Sequence, residues 1–190
     1  EGAKVVVSAR SVDAIEAIVA DIKSKGGEAI AVKCDVSKTE DCNAVAKAAL
    51  DQWGRIDGMV HSAYYHPDWS NLDAHSIDQL SSALDVIAVG GLRMAQAVIP
   101  TMKAQGSGSI VNISSTSGIR FSGAPQVGYA AAKAGVIQFG RVVAVEYAKK
   151  GIRVNSVLPG LLHTPLVEAV LAGAQAGGDA EGLLKRRQAR

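Results

Sequence analysis

A phenol and an ammonium stand four residues apart in Tyr129-Ala130-Ala131-Ala132-Lys133, at the start of an apolar, helix-prone run. Residues at this spacing share one face of a helix, so the two groups lie side by side. An ammonium favours the ionised form of a neighbouring phenol and lowers its pKa. A phenol tuned this way can pass a proton to or from an alcohol or carbonyl oxygen. Taken alone, the pair also reads as a surface Lys one turn from a half-buried Tyr. Its surroundings carry more information. Upstream, Gly108-Ser109-Ile110-Val111-Asn112-Ile113-Ser114-Ser115 is a buried-strand pattern ending in hydroxyls. Downstream, Gly151-Ile152-Arg153-Val154-Asn155-Ser156-Val157-Leu158-Pro159-Gly160 is a strand running into a Pro-Gly turn.

Hydrophobic periodicity outlines the elements that must position these groups. Strands are predicted at 4–9, 28–33, 56–61, 108–114 and 152–158. Helices are predicted at 12–25, 39–53, 77–104 and 129–149, with a loop over 64–71. From Thr164 on, two helical pieces flank a Gly-rich stretch at 173–178. Apolar strands alternating with helices predict an α/β fold, a parallel sheet covered on both faces. No internal repeat or interdomain linker interrupts the pattern, and residues 1–190 read as a single domain.

Bulk properties narrow the function classes. The chain has 190 residues and a formal net charge of +2, which gives no reason to invoke nucleic acid. The Lys185-Arg186-Arg187 cluster reads as a solvated helix end. Aromatic residues are only 4% of the chain, too few for a base-stacking platform. No stretch reaches the length of a membrane span, and the start is not a signal peptide. Cys34 and Cys42 show neither metal nor redox spacing, so reduced, cytoplasmic thiols are expected. His66, His75 and His163 show no metal spacing either.

The ordered set of strand, hydroxyl loop, Tyr-Lys helix, strand and Pro-Gly turn resembles the short-chain dehydrogenase/reductase family across nearly the whole chain. The resemblance implies a Rossmann-like, doubly wound parallel sheet and a dinucleotide coenzyme. It implies that Ser115 hydrogen-bonds the substrate oxygen, with Ser114 the alternative; either hydroxyl could also merely cap the strand end. Tyr129 would be the general acid in reduction and the base in oxidation. Lys133 would lower the Tyr129 pKa and bind the nicotinamide ribose.

Further coenzyme contacts follow from the same resemblance. Pro159 and Gly160 match the segment over the nicotinamide; Leu162 would pair with the carboxamide through its backbone, and Thr164 would reach the pyrophosphate. Asp35 would bind the adenine and Val36 line its pocket, although an Asp there also suits a turn or helix cap. After the first strand, Ala9 stands where an acid would bind the 2′-hydroxyl of NAD, and Arg10 follows. That pattern favours NADP(H), with NAD(H) the alternative. The expected activity is oxidoreduction of a small-molecule carbonyl or secondary alcohol, by a homodimer or homotetramer joined through the helix at 129–149. A non-catalytic binding subunit and a non-redox lyase or epimerase are the other readings.

Three features depart from the family pattern. His61-Ser62-Ala63-Tyr64 replaces Asn-Asn-Ala-Gly, so that only Ala63 matches. Tyr64 stands where Gly would permit positive φ or close backbone approach. His61 reads as a hydrogen-bonded structural His, with a ligand or a proton carrier the alternatives. Ile87 replaces an Asn that in the family holds a relay water, and it has no side-chain hydrogen-bonding group. Both ends look cut: no glycine-rich turn precedes the first strand, and the last strand of the family fold is missing. A break is therefore expected between the strands at 4–9 and 56–61. The loop at 65–69 would border the site mouth.

Overall fold

The structure, a computed structural model, describes residues 2–66, 70–123, 125–162 and 164. The expectations for Pro67, Asp68 and Trp69, for His163, and for helices beyond Thr164 fall outside these residues. The chain divides into two compact units, Glu1–Leu158 and Pro159–Arg190.

In the first unit, strands and helices alternate. They are β1 (Lys4–Ala9), α1 (Val12–Ser24), β2 (Glu28–Lys33), α2 (Thr39–Trp53) and β3 (Gly58–His61), then α3 (Ile77–Ala83), a π-helical turn (Leu84–Val89), α4 (Gly90–Gln105), β4 (Gly108–Ile113), α5 (Val127–Tyr147) and β5 (Ile152–Val157). The alternation reflects local chemistry. Ile15 and Val19, four apart, form the buried stripe of α1, with Asp13 in its first turn and Lys23 in its last.

All strand pairs are parallel. β1 pairs with β2 from Lys4–Glu28 to Ala9–Lys33. β4 lies between β3 and β5, with Ile110 opposite Met59 on one side and Val154 on the other. The two sheets share no ladder, so the break between β1 and β3 is present as expected. The orders β2-β1 and β3-β4-β5 correspond to strands 3-2 and 4-5-6 of the doubly wound order 3-2-1-4-5-6. Helices cover both faces, and the fold is Rossmann-like α/β. The main core joins Met94, Val98, Ile99 and Met102 of α4 with Ile110, Ile152, Met59 and the buried residues of α2.

Several boundaries and faces differ from expectation. β3 begins at Gly58 rather than Ile56, because the Ile56 backbone is satisfied by a side chain: its N–H donates to Gln105 Oε1 at 2.9 Å, and its carbonyl accepts from Gln105 Nε2 at 2.8 Å. The helix expected over 77–104 contains the π turn Leu84–Val89. By length and composition alone, the helical run Ile77–Gln105 (29 residues, with an 18-residue window of mean hydropathy 1.4) could cross a membrane, contrary to the sequence reading. Met94, Val98, Ile99 and Met102 lie in the core, which is the placement of a core helix. α5 starts at Val127 and passes into a 3-10 turn at Ala148–Lys150. It is also less enclosed than its composition implies: Val142 is 54% and Val145 81% exposed.

Candidate active site

β4 and α5 build the site. β4 ends at Ile113, and the chain continues through Ser114 and Ser115 into a 3-10 turn, Thr116–Gly118. Ser115 has extended backbone and caps this turn, its Oγ accepting from the Ser117 N–H at 3.2 Å. The turn lies directly on the α5 backbone. A Cβ on Gly118 would come within 2.9 Å of the Lys133 carbonyl carbon and 3.0 Å of Ala134 N, so the approach requires glycine. Gln126, at the start of α5, braces the loop by donating from Nε2 to Ser117 Oγ at 2.8 Å.

The two serines have different surroundings. Ser114 is 3% exposed, and its hydroxyl donates to the Lys133 carbonyl at 2.8 Å. Ser115 is only partly buried, and its hydroxyl is near enough to Tyr129 to lower the phenol's pKa. The hydroxyl beside the phenol is therefore that of Ser115. Tyr129 and Lys133 sit one turn apart on α5, with the Lys133 Nζ 5.6 Å from the Tyr129 ring centroid. Lys133 is 3% exposed, and its Nζ donates to the Ile113 carbonyl at 2.7 Å. Burial pushes its pKa down to about 8.

The direction of the Tyr129 shift corrects the sequence-based expectation. Burial raises its pKa, and the Ser115 hydrogen bond only partly offsets the rise. Desolvation disfavours the phenolate and outweighs the help available from an ammonium engaged with a backbone carbonyl.

The altered turn after β3 belongs to the same neighbourhood. Tyr64 packs edge-to-face on Tyr129, with ring centroids 6.2 Å apart and ring planes at 68°. Positive φ occurs only at glycines among the described residues, so Tyr64 replaces glycine without backbone strain. Ala63 is partly buried in this turn. Tyr65 packs with Ile87, Ala132, Val136 and Tyr129 in a small apolar cluster, and its hydroxyl donates to Gln79 Oε1 at 2.9 Å. The sequence reading missed Tyr64 as a ring against the phenol and Ile113 as the ammonium's acceptor. The first could be suspected from an aromatic residue in a glycine position; the second is a backbone atom and leaves no sequence signal.

Beyond the ends of β1 and β2, a cleft of about 560 Å³ is lined by Arg10, Lys33, Asp35, Lys38 and, from α2, Asp41. Three cations beside two carboxylates suit the polar and anionic groups of a dinucleotide coenzyme. Asp35 Oδ1 accepts from the Ser37 N–H at 3.0 Å and its hydroxyl at 2.7 Å. The turn-forming role weighed for this Asp is thus present, and these bonds hold its pKa down. Val36 packs against Gly90, and its carbonyl accepts from Arg93 Nη1 at 3.2 Å. Pro159, Gly160, Leu162 and Thr164 belong to the second unit.

Comparison with known proteins places this architecture. A family profile described as "Enoyl-(Acyl carrier protein) reductase" matches residues 1–187. The chain is 40% identical over 169 residues to a 3-oxoacyl-[acyl-carrier-protein] reductase of Synechocystis sp., covering 88% of this chain and 67% of that protein. It is 35% identical over 171 residues to levodione reductase of Leifsonia aquatica, covering 88% and 63%. The chain thus spans about two thirds of the length of the curated relatives it matches. A short-chain dehydrogenase/reductase structure from Burkholderia xenovorans superposes with a TM-score of 0.91 at 44% identity, covering 100% of this chain and 71% of that one. L-Sorbose reductase from Gluconobacter frateurii, complexed with NADPH and L-sorbose, gives a TM-score of 0.85 at 26% identity, covering 97% and 71%. The chain belongs to the short-chain dehydrogenase/reductase family.

Proposed function

We propose that this protein is an NADP(H)-dependent oxidoreductase that interconverts a small-molecule carbonyl and a secondary alcohol through Ser115, Tyr129 and Lys133. The observation that supports the reading is the Tyr129 phenol beside the buried Lys133 ammonium on α5, with the Ser114-Ser115 loop braced against that helix. The bound coenzyme supplies the hydride in reduction and accepts it in oxidation. Ser115 donates a hydrogen bond to the substrate oxygen as charge develops there. Tyr129 gives its proton to that oxygen in reduction and takes it back in oxidation. Its raised pKa keeps it protonated near neutrality, as a donor requires. Lys133 holds positive charge beside the phenolate left behind and binds the nicotinamide ribose.

On this reading Arg10 binds the 2′-phosphate, which favours NADP(H) over NAD(H). Asp35, Val36 and Ala63 hold the adenosine side, and Pro159, Gly160, Leu162 and Thr164 the nicotinamide and pyrophosphate side. NADPH in the L-sorbose reductase complex supports this choice of coenzyme. Exposed Val142 and Val145 on α5 suit contact with a second copy in a homodimer or homotetramer. Cys34 and Cys42 are free and buried, and burial pushes the Cys34 thiol up to about 12, which suits a reducing cytoplasm.

The test is NADPH oxidation by the full-length protein, followed spectrophotometrically against a panel of carbonyl compounds. Turnover with at least one carbonyl is expected. NADPH binding without turnover on any of them would replace this reading with that of a binding subunit.

A further inference from the structure

His61 ends β3 with its imidazole 4% exposed. Its Nε2 lies 2.9 Å from the Ile87 carbonyl, across 26 residues of chain. Two irregularities of the opposite helix fit this contact. Ile87 lies inside the π turn Leu84–Val89, where the widened backbone loosens the regular ladder and leaves a carbonyl available to an outside donor. Next to that turn, Gly91 makes room for the ring: a Cβ there would sit 2.9 Å from His61 Cδ2, 3.1 Å from Nε2 and 3.2 Å from Phe139 Cζ.

The far side of Ile87 faces the catalytic helix. Its side chain is 0% exposed and packs with Ala83, Ala132 and Val136, in a cluster that includes Tyr129. Ala132 immediately precedes Lys133 on α5, and Tyr129 stands one turn before it. A displacement of the π turn would therefore be transmitted by close packing to the phenol. Well-packed interiors pass on small shifts rather than absorb them.

We propose that His61 is a positioning residue: by donating from Nε2 to the Ile87 carbonyl it holds the π turn that seats Tyr129. The inference rests on the proposed oxidoreductase reading. Burial holds the imidazole below its usual pKa; the Ile87 hydrogen bond opposes this shift and the nearby Lys133 charge adds to it, so the net effect favours the neutral ring. A neutral ring bound to a carbonyl through Nε2 carries its proton there and leaves Nδ1 unprotonated.

The test compares His61→Gln with His61→Asn in the full-length enzyme. A Gln amide reaches the position of Nε2; an Asn amide stops near Nδ1. Misplacement by about 1 Å can cost about a hundredfold in rate. The Asn variant should lose at least about tenfold in kcat, while the Gln variant stays within about threefold of the parent and both keep NADPH affinity. Equal kcat in the two variants, or a loss confined to thermal stability, overturns the proposal. Nitrogen-15 NMR of the parent's histidines gives a readout that needs neither turnover nor a folded variant. A slowly exchanging Nε2–H tautomer of His61 is expected, and an Nδ1–H tautomer overturns the hydrogen bond. A parent that turns over no carbonyl removes the reading on which the inference rests. An active parent with equal variants removes the inference alone.

Discussion

The Ser114 hydroxyl donates to the backbone carbonyl of Lys133 at 2.8 Å, while the Lys133 ammonium donates back to the Ile113 carbonyl at 2.7 Å. These reciprocal bonds tie the end of β4 to the first turns of α5 and hold the loop residue Ser115 beside Tyr129. They separate the adjacent serines by consequence. Ser114→Ala should lower stability by about 1 kcal/mol, the net worth of a buried neutral hydrogen bond, and reduce turnover only modestly. Ser115→Ala loses the cap of the Thr116–Gly118 turn and should cost a similar, small amount of stability, but it should lower kcat by about a hundred- to a thousandfold, as for loss of a charge-stabilising donor. Paired melting curves and steady-state kinetics check this; the reverse pattern would exchange their roles.

Tyr129→Phe should reduce kcat by at least about a hundredfold, the lower end of what a positioned general acid contributes. NADPH affinity should hold within about threefold, because the proton is used in the transition state. The check is kcat alongside fluorescence titration of NADPH. Substantial residual turnover would point to another acid.

Lys133 makes stability depend on pH in a definite direction. Its pKa falls from 10.5 to about 8 in the folded chain because burial penalises the charge. Between those values the unfolded chain binds more protons, so stability rises with pH. Below about pH 8 both states are protonated and the full cost of the buried ammonium is present; it is relieved as pH rises toward 10.5. The relief amounts to about 3 kcal/mol. Lys133→Met removes the charge, so its stability relative to the parent should be greatest below pH 8 and decline as pH climbs to 10.5. Denaturant melts of both proteins across this window measure it, and a pH-independent difference would contradict the assignment.

Arg10 lies in the cleft at the ends of β1 and β2. If its guanidinium holds the 2′-phosphate, Arg10→Ala should weaken NADPH far more than NADH. A charged hydrogen bond is worth about 1.5–3 kcal/mol, so the preference should fall by about ten- to a hundredfold. Dissociation constants for both coenzymes decide it; equal losses would leave Arg10 a structural residue.

Much of this protein can be read from its sequence because the signals are local. The bounds of β1, β2 and α2 coincide with their apolar runs and glycine stops, and the Tyr129-Lys133 spacing brings phenol and ammonium to one helix face. The break between β1 and β3 also follows from element order, since a doubly wound sheet separates those strands. What the tertiary structure decided involves groups far apart in the chain or carried by the backbone. The family resemblance favours Ser115 over Ser114, but only the approach of α5 commits the Ser114 hydroxyl to the Lys133 carbonyl. The Tyr129 shift depends on how much water packing removes, so the ammonium's expected influence was outweighed by burial. His61 meets Ile87 across 26 residues, through a carbonyl that no side-chain pattern encodes. Periodicity predicts which face of an element is buried, but the partners on that face are chosen by packing.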